Sequence, residues 1–562
     1  MEREKGAGYK MYGNQYAKTI INIMGEPVFI KDKKEDYMIN SDAIWVSNLG
    51  KGYHHFTYRS EKMSFIGREN EKKELINFLS GNEKFKCLLV TGRAGSGKSR
   101  LVYDTLYEDE TIKKNWKVCG LQYKQLKEYS CDNICSSGIK KIVFVIDYVL
   151  LYVAKIGKWI ESIYEGCKLN DLYIRIILIE RSYKKNNEPY WYIKLKSRLG
   201  EILDEKYHIQ LGNMSDEELK KIFIQYIEKN AERYEEIYGE KPDLLLCGES
   251  AELIIQRLDE RCKIPLYMMY IADAWITDRN KYGRDWNETE TLRYIVEKEE
   301  QRLTKSFNNN KKTVEALKTI LVYAMAFNGL NLNKVDFLCD EFETVRGNLN
   351  DADVSLRNIF NEIGNISDRE LVLYSTFPDI VCEYYCLQFL KRKIEDDFNK
   401  EFVLQFIEQC WKENPTAFSE FLCRLIADFH NNSMINFEYI LKRPRTLTGE
   451  HEELYADVLQ EYTYWNNAVP KYYDEICEQY DLMLEHKRDT KALKTIHKAY
   501  ASTLFNMAYW YEKSAYKNEI PKEYIGRIYK RSRKINQGND DFFIRTACTM
   551  IEKIKDEKIK ER

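Results

Sequence analysis

Between residues 61 and 212 the apolar positions fall into short unbroken runs, separated by longer stretches where they recur at three- and four-residue spacing. Five runs read as strands: Cys87–Gly92 (CLLVTG), Trp116–Gln122 (WKVCGLQ), Ile142–Asp147 (IVFVID), Tyr173–Glu180 (YIRIILIE) and His208–Leu211 (HIQL). The third is apolar throughout, as a strand covered on both faces must be. Helical patterns fill the intervals, near 70–80, 98–108, 150–166 and 190–204. This alternation predicts an α/β core, a parallel sheet with helices on both faces, and ligands at the carboxyl ends of its strands.

After Leu211 the pattern turns helical for about a hundred residues. Ser215 and Glu218 read as a capping box that starts a helix. Further helices are expected near 247–258, 264–276 and 288–306. Residues 312–376 mix helices with short β-like runs such as Leu371–Tyr374. Pro378 sits where a first-turn proline belongs, ahead of an apolar stripe of Ile380, Val381, Tyr384, Tyr385 and Leu387. From about 396 to 562 everything reads helical, and Leu504–Asn536 loosely resembles a tetratricopeptide hairpin. Residues 1–60 are a short extension, too few for a typical enzyme domain. In a strand their adjacent His54 and His55 would point to opposite faces, which argues against joint metal binding.

Composition narrows the picture. The chain has 562 residues, with 87 Lys and Arg against 89 Asp and Glu, a net charge of −2. That balance gives no general field for nucleic acid, so nucleic-acid partners are not expected. Hydrophobic residues at 44% are enough for large cores. No apolar run reaches the length of a membrane span, and the start MEREKGAGYK lacks the apolar core of a secretory signal, so a cytoplasmic protein with no membrane partner is expected. The 14 cysteines lack zinc-type spacing and read as buried thiols in a reducing compartment.

The sharpest chemical signal is Gly92-Arg93-Ala94-Gly95-Ser96-Gly97-Lys98-Ser99, which fits G-x-x-x-x-G-K-[ST] between a strand and a helix. Gly92, Gly95 and Gly97 are expected to let the backbone turn with positive φ and approach phosphates closely. Backbone N–H groups of the loop, including Ser96, and of the following helix, where Arg100 lies, then face the anion. Lys98 places a charge at the β- and γ-phosphates, and Ser99 offers Mg²⁺ a hard oxygen. Asp147, at the end of IVFVID, is the expected carboxylate partner of that Mg²⁺. The strand between the two motifs suggests a sheet in which another strand separates theirs. Tyr148 stands where many ATPases carry a second acid, and a phenol with pKa near 10 is no base at neutral pH. Hydrolysis should then be slow or use another acid, with Glu180 a candidate. Arg181 beside it is placed to read a γ-phosphate.

These residues, in this order, resemble a family. Phe65-Ile66-Gly67-Arg68-Glu69…Glu71, the phosphate loop, Val145-Ile146-Asp147-Tyr148 and Leu178-Ile179-Glu180-Arg181-Ser182 are followed by Ile264-Pro265-Leu266…Ala272-Asp273-Ala274-Trp275 and Pro378-Asp379-Ile380-Val381-Cys382-Glu383-Tyr384-Tyr385. Together they are similar to the STAND ATPases (signal-transduction ATPases with numerous domains), relatives of the NACHT and NB-ARC switches. The nearest type is the bacterial one with a D-Y-A motif and a helical-repeat tail, although Val149 stands here in place of its alanine. The resemblance covers about 61–395. It implies a P-loop NTPase core at 61–212, a helical lid at 213–300, a winged-helix-like domain at 301–395 and a helical sensor at 396–562. It places Gly67 and Arg68 beside the adenine and Pro265 of the lid on the nucleotide. It implies ATP or ADP with Mg²⁺ as cofactors, a protein trigger bound by the sensor, ATP-driven homo-oligomerisation and slow hydrolysis as the reset, in signalling that includes defence. Family members often carry an N-terminal effector, for which 1–60 is too short. A continuously cycling remodelling motor shares the core. A winged-helix DNA-binding regulator would need a basic helix, with Lys391-Arg392-Lys393 and Lys530-Arg531-Ser532-Arg533-Lys534 as candidates that read better as solvated faces.

Overall fold

Five parallel strands, β1 (Phe85–Gly92), β2 (Lys117–Leu121), β3 (Lys141–Asp147), β4 (Tyr173–Arg181) and β5 (His208–Leu211), pair in the order β2-β3-β4-β1-β5 in a computed structural model of the chain. The structure describes residues 63–430 apart from 122–125, 127, 182–189, 204–205, 280–285, 308–309, 348–359, 361–364, 367–370, 376 and 396–399; beyond them it describes 440–441, 444, 447, 450–465, 522–535 and single positions between 477 and 508. The extension 1–60 with His54 and His55, Ser182, Cys548 and much of 504–536 lie outside the described residues.

The uninterrupted apolar runs have a direct cause. Successive residues of a strand face opposite sides of the sheet. Cys87, Leu89, Phe144, Ile146, Ile176 and Leu178 enter one core, with helices Val153–Leu169 and Tyr190–Leu199. Leu88, Val90, Val143, Val145, Ile177 and Ile179 enter the other, with helices Glu69–Ser80 and Lys98–Glu108. β4 lies between β1 and β3, so a strand does separate the loop strand from the Asp strand, and it is the fourth in sequence. Arg175, inside β4, is fully buried and donates to the carbonyls of Phe78, Ile174 and Gly81, which is how a charged residue is kept within an apolar strand.

The chain divides into two compact units. The first joins Met1–Met325 to Gly329–Cys382, so the core, the expected lid and most of the expected winged-helix-like part fall together. After β5 the capping box is present as expected, Ser215 and Glu218 forming it reciprocally at the start of helix Asp216–Lys229. Helices Leu244–Gln256, Pro265–Thr277 and Glu288–Ser306 follow, with a helix at Ala231–Tyr238 that the sequence pattern did not bring out. Next come helix Lys311–Ala326, helix Cys339–Gly347 and a small antiparallel sheet of β6 (Leu330–Asn331), β7 (Asn365–Ile366) and β8 (Val372–Tyr374) in the order β6-β8-β7. Leu371 stays outside β8 with φ 51°. Pro378 lies one residue ahead of helix Asp379–Glu395 rather than inside its first turn, and its carbonyl accepts from the N–H of Val381 and of Cys382.

The second unit joins Ala326–Asn328 to Glu383–Arg562 and is helical among its described residues. Trp411 packs against Phe418 and Tyr455, and buried Glu383 accepts from Arg424 Nε at 3.0 Å. In helix Lys522–Ile535 the residues Ile525, Ile528 and Tyr529 are buried while Arg527, Lys530, Arg533 and Lys534 are exposed. Lys530, Arg533 and Lys534 of the basic run form the solvated face of an amphipathic helix, while Ser532 within it is buried and Arg531 pairs with Asp481. Among the described residues no helix is long and apolar enough to cross a membrane.

Candidate nucleotide site

Three strand ends lie level: Gly92 pairs with Arg181, and Asp147 with Ile179. The chain leaves β1 at Gly92 and enters helix Lys98–Glu108 through a turn that needs left-handed backbone at Gly95 (φ 75°) and Gly97 (φ 91°). At Gly95 space is short as well, since a Cβ would come within 2.8 Å of Leu266. Gly92 departs from expectation: it is extended and ends a strand, and the constraint there is room, with a Cβ meeting Ser96 Oγ at 2.6 Å.

The loop brings together the groups that the sequence singled out. Lys98 Nζ donates to the carbonyls of Gly92 at 2.8 Å and Arg93 at 3.0 Å. Ser99 Oγ donates to Asp147 Oδ2 at 2.9 Å, and Asp147 Oδ1 accepts from the Tyr148 N–H at 3.0 Å. Burial pushes the Asp147 carboxyl up to about 6; Lys98 and the Ser99 hydrogen bond pull it down, and neighbouring Glu180 adds to the rise. Ser96 Oγ is buried without a hydrogen-bond partner, a defect that a phosphoryl oxygen would remedy.

Glu180 and Arg181 end β4 beside this cluster. Glu180 is buried, and both its oxygens hold main-chain donors: Leu150 N at 2.9 Å and Arg181 N at 2.7 Å. Burial raises its pKa as well. Its carboxylate therefore grips the turn that follows Asp147. Tyr148 is 40% exposed and adopts φ 59°, unusual for a bulky residue. Its N–H donates to the Ile179 carbonyl, and its hydroxyl donates to the Asp379 carboxylate.

Helix Pro265–Thr277 starts on the loop. Pro265 is its first residue, with Cγ 3.8 Å from where a Cβ on Gly97 would lie, and the Leu266 N–H donates to the Gly95 carbonyl at 3.4 Å. Gly67 and Arg68 lie at the start of helix Glu69–Ser80. Arg68 has φ 62°, its N–H donates to Glu218, and its guanidinium donates to Glu71 and to the Gly212 carbonyl, just past β5. Arg100 is in the first turn after the loop, but its side chain donates to the Met63 carbonyl at 2.9 Å.

Sequence reasoning missed Arg93, which the loop motif leaves unspecified. Arg93 Nη1 donates to the Arg261 carbonyl at 2.7 Å, and Nη2 donates to Glu288 Oε1 at 2.8 Å. Tyr267 Oη donates to the same oxygen at 2.9 Å. Glu288 opens a helix, so in the sequence it reads only as an acid suited to the helix dipole.

A magnesium–nucleotide fits this donor set. The amine, the hydroxyl, the carboxylate and the orphaned Ser96 hydroxyl converge on one loop. Among the described residues no group of three or more His, Cys, Asp and Glu could hold a metal, so Ser99 and Asp147 would share Mg²⁺ with phosphate and water oxygens.

No family model matches the chain, and no curated protein matches it. Among solved structures, domain III of the Thermotoga maritima replication initiation protein DnaA overlaps at 13% identity and a TM-score of 0.26, covering 42% of this chain and 94% of that one. Drosophila ORC bound to DNA overlaps at 11% identity and a TM-score of 0.26, covering 52% of this chain and 84% of that one. Likeness this slight carries no weight for function. The sheet order, the loop and its Ser99–Asp147 bond fit an α/β core with a phosphate loop at the carboxyl end of its sheet.

Proposed function

We propose that this chain is an ATP-binding molecular switch of the STAND type. The observation that carries the reading is the lid helix seated, through Pro265 and Leu266, on a phosphate loop whose Asp147 is followed by a tyrosine instead of a second acid. Lys98 would exchange the carbonyls of Gly92 and Arg93 for the β- and γ-phosphates. Ser99 and Asp147 would hold Mg²⁺, and Arg181 would read the third phosphate. Bound Mg²⁺ supplies charge neutralisation between the phosphates. With Tyr148 in place and Glu180 committed to main-chain donors, water activation is weak, which suits slow hydrolysis as a reset.

The energy suffices. Moving a two-state equilibrium from 1:99 to 99:1 takes about 10⁴-fold preferential binding, or about 5.5 kcal/mol. Charge-assisted hydrogen bonds at roughly 1.5–3 kcal/mol each supply that with two or three contacts to a γ-phosphate. The antiparallel β6-β8-β7 sheet and its helices support a winged-helix-like reading of about 301–395. We assign the helical second unit to a protein trigger, the ATP state to homo-oligomers and the protein to the cytoplasm, where buried thiols such as Cys87, Cys119 and Cys262 fit a reducing medium.

Sizing the purified protein with ADP, ATP and a non-hydrolysable ATP analogue tests the reading. Larger species only with the triphosphates are expected, and none with Lys98→Ala. No shift with any triphosphate would overturn the switch, and brisk unaided turnover would favour a cycling motor.

A further inference from the structure

The phosphate loop carries a side chain that points away from where phosphates would bind. Arg93 follows the strand-ending glycine, and its guanidinium spans two lid elements, the Arg261 carbonyl and the Glu288 carboxylate. Glu288 is largely buried, Tyr267 donates to the same oxygen, and Arg261 Nη1 lies 3.6 Å from the other. Tyr267 belongs to the helix that begins at Pro265.

The backbone of the same residue is tied to the other side of the site, because the Arg93 carbonyl is one of the two that receive Lys98 Nζ. One residue therefore holds the phosphate-reading amine by its main chain and the lid by its side chain. A phosphate that draws Lys98 away takes one of the two donors from the Arg93 carbonyl, leaving the Ser96 N–H at 3.2 Å, and so loosens the local backbone. The guanidinium bonds two groups at fixed distances, so it transmits that change to Glu288 and Tyr267.

We infer that Arg93 is a positioning residue that couples phosphate occupancy of the loop to the seating of the lid, through Glu288. The inference rests on the proposed nucleotide site and adds the route by which that site is read. Arginine suits the task because its planar fork makes two directed bonds, which lysine cannot reproduce.

The test uses the full-length protein, Arg93→Ala, Arg93→Lys, Glu288→Gln and the double variant Arg93→Ala/Glu288→Gln. Release of a fluorescent ADP analogue is followed by stopped flow, and amide exchange over 261–268 is measured with and without Mg-ADP. Loss of one charge-assisted bond to a largely buried acid should speed release about tenfold in Arg93→Ala and in Glu288→Gln. The double variant should be no faster than either single one, and Arg93→Lys should restore only part of the effect. Exchange over 261–268 should respond to Mg-ADP in the wild type and not in Arg93→Ala, even at saturating nucleotide. Multiplying single-variant effects, or an unchanged exchange response in Arg93→Ala, would overturn the coupling. Lys98→Ala separates the two readings. If it binds the analogue as well as the wild type, the nucleotide site itself is wrong and the coupling falls with it. If it loses binding while the Arg93 variants behave like the wild type, only the coupling is lost.

Discussion

Two aspartates of the first unit, Asp273 buried and Asp147 half-buried, have opposite electrostatic surroundings. Asp273, in helix Pro265–Thr277, accepts from Arg233 Nη1 at 2.5 Å, from Lys298, and from the hydroxyls of Tyr226 and Tyr294 at 3.1 and 3.2 Å. Burial works to raise its pKa, yet Lys298 and Arg233 hold it below the usual carboxylate range. Asp147, at the carboxyl end of β3, has one hydroxyl and one N–H as hydrogen-bond partners, and burial wins, bringing it to about 6. A carboxylate that serves architecture is compensated by the protein itself. One left short of positive charge is suited to receive a cation from outside.

The largest test of this contrast is Asp273→Asn. Two cations then lose their common anion, and stability should fall by about 2–4 kcal/mol, toward the low end for a broken buried pair because both keep some water contact. Urea unfolding at pH 7 measures it, and a loss below about 1 kcal/mol would equate the two sites.

Asp147→Asn should do the reverse. The folded Asp147 carboxyl keeps its proton more tightly than at its ordinary value of 3.8. Stability from the protonated form is thus present below about pH 4 and is lost as pH rises through about 6. At pH 8 the uncharged variant should be more stable by on the order of 1–2 kcal/mol while binding Mg-ATP at least tenfold more weakly. Thermal melts and titration calorimetry on the same preparations would reveal whether both signs hold.

The same carboxyl gives a smaller, graded effect. Below about pH 6, Mg-nucleotide affinity of the wild type should fall by up to tenfold per pH unit beyond the phosphate's own titration, because a proton competes with the metal. The Asp147→Asn protein supplies the phosphate baseline, and parallel slopes would count against the assignment.

Tyr148→Phe comes last. The hydroxyl's bond to Asp379 is partly exposed, so its loss should cost about 0.5–1 kcal/mol in urea unfolding.

The parts of the site within one stretch of chain could be read from the sequence. The loop, the strand before it, the helix after it, and Asp147 closing an apolar run are local patterns, and the register places them as that reading requires. Pro265 came from resemblance rather than periodicity, and it does lie at the loop. What could not be read joins distant positions. Arg93 and Glu288 are 195 residues apart, and Tyr148 and Asp379 are 231 apart. Nothing in either local pattern marks them as partners. Glu180 could be placed at a strand end, but the direction of its carboxylate depends on the backbone at Leu150, a tertiary matter.

The strand order also has a consequence for biosynthesis. β1 is the first of the described strands to emerge from the ribosome, yet its neighbours in the finished sheet are β4 and β5. A nascent chain that has reached Leu121 has the glycine-rich turn but neither flanking strand, and such long-range pairing is slow to form. Until residue 181 has been translated, that turn has no paired strand beside it, and the apolar strand before it needs shelter from aggregation.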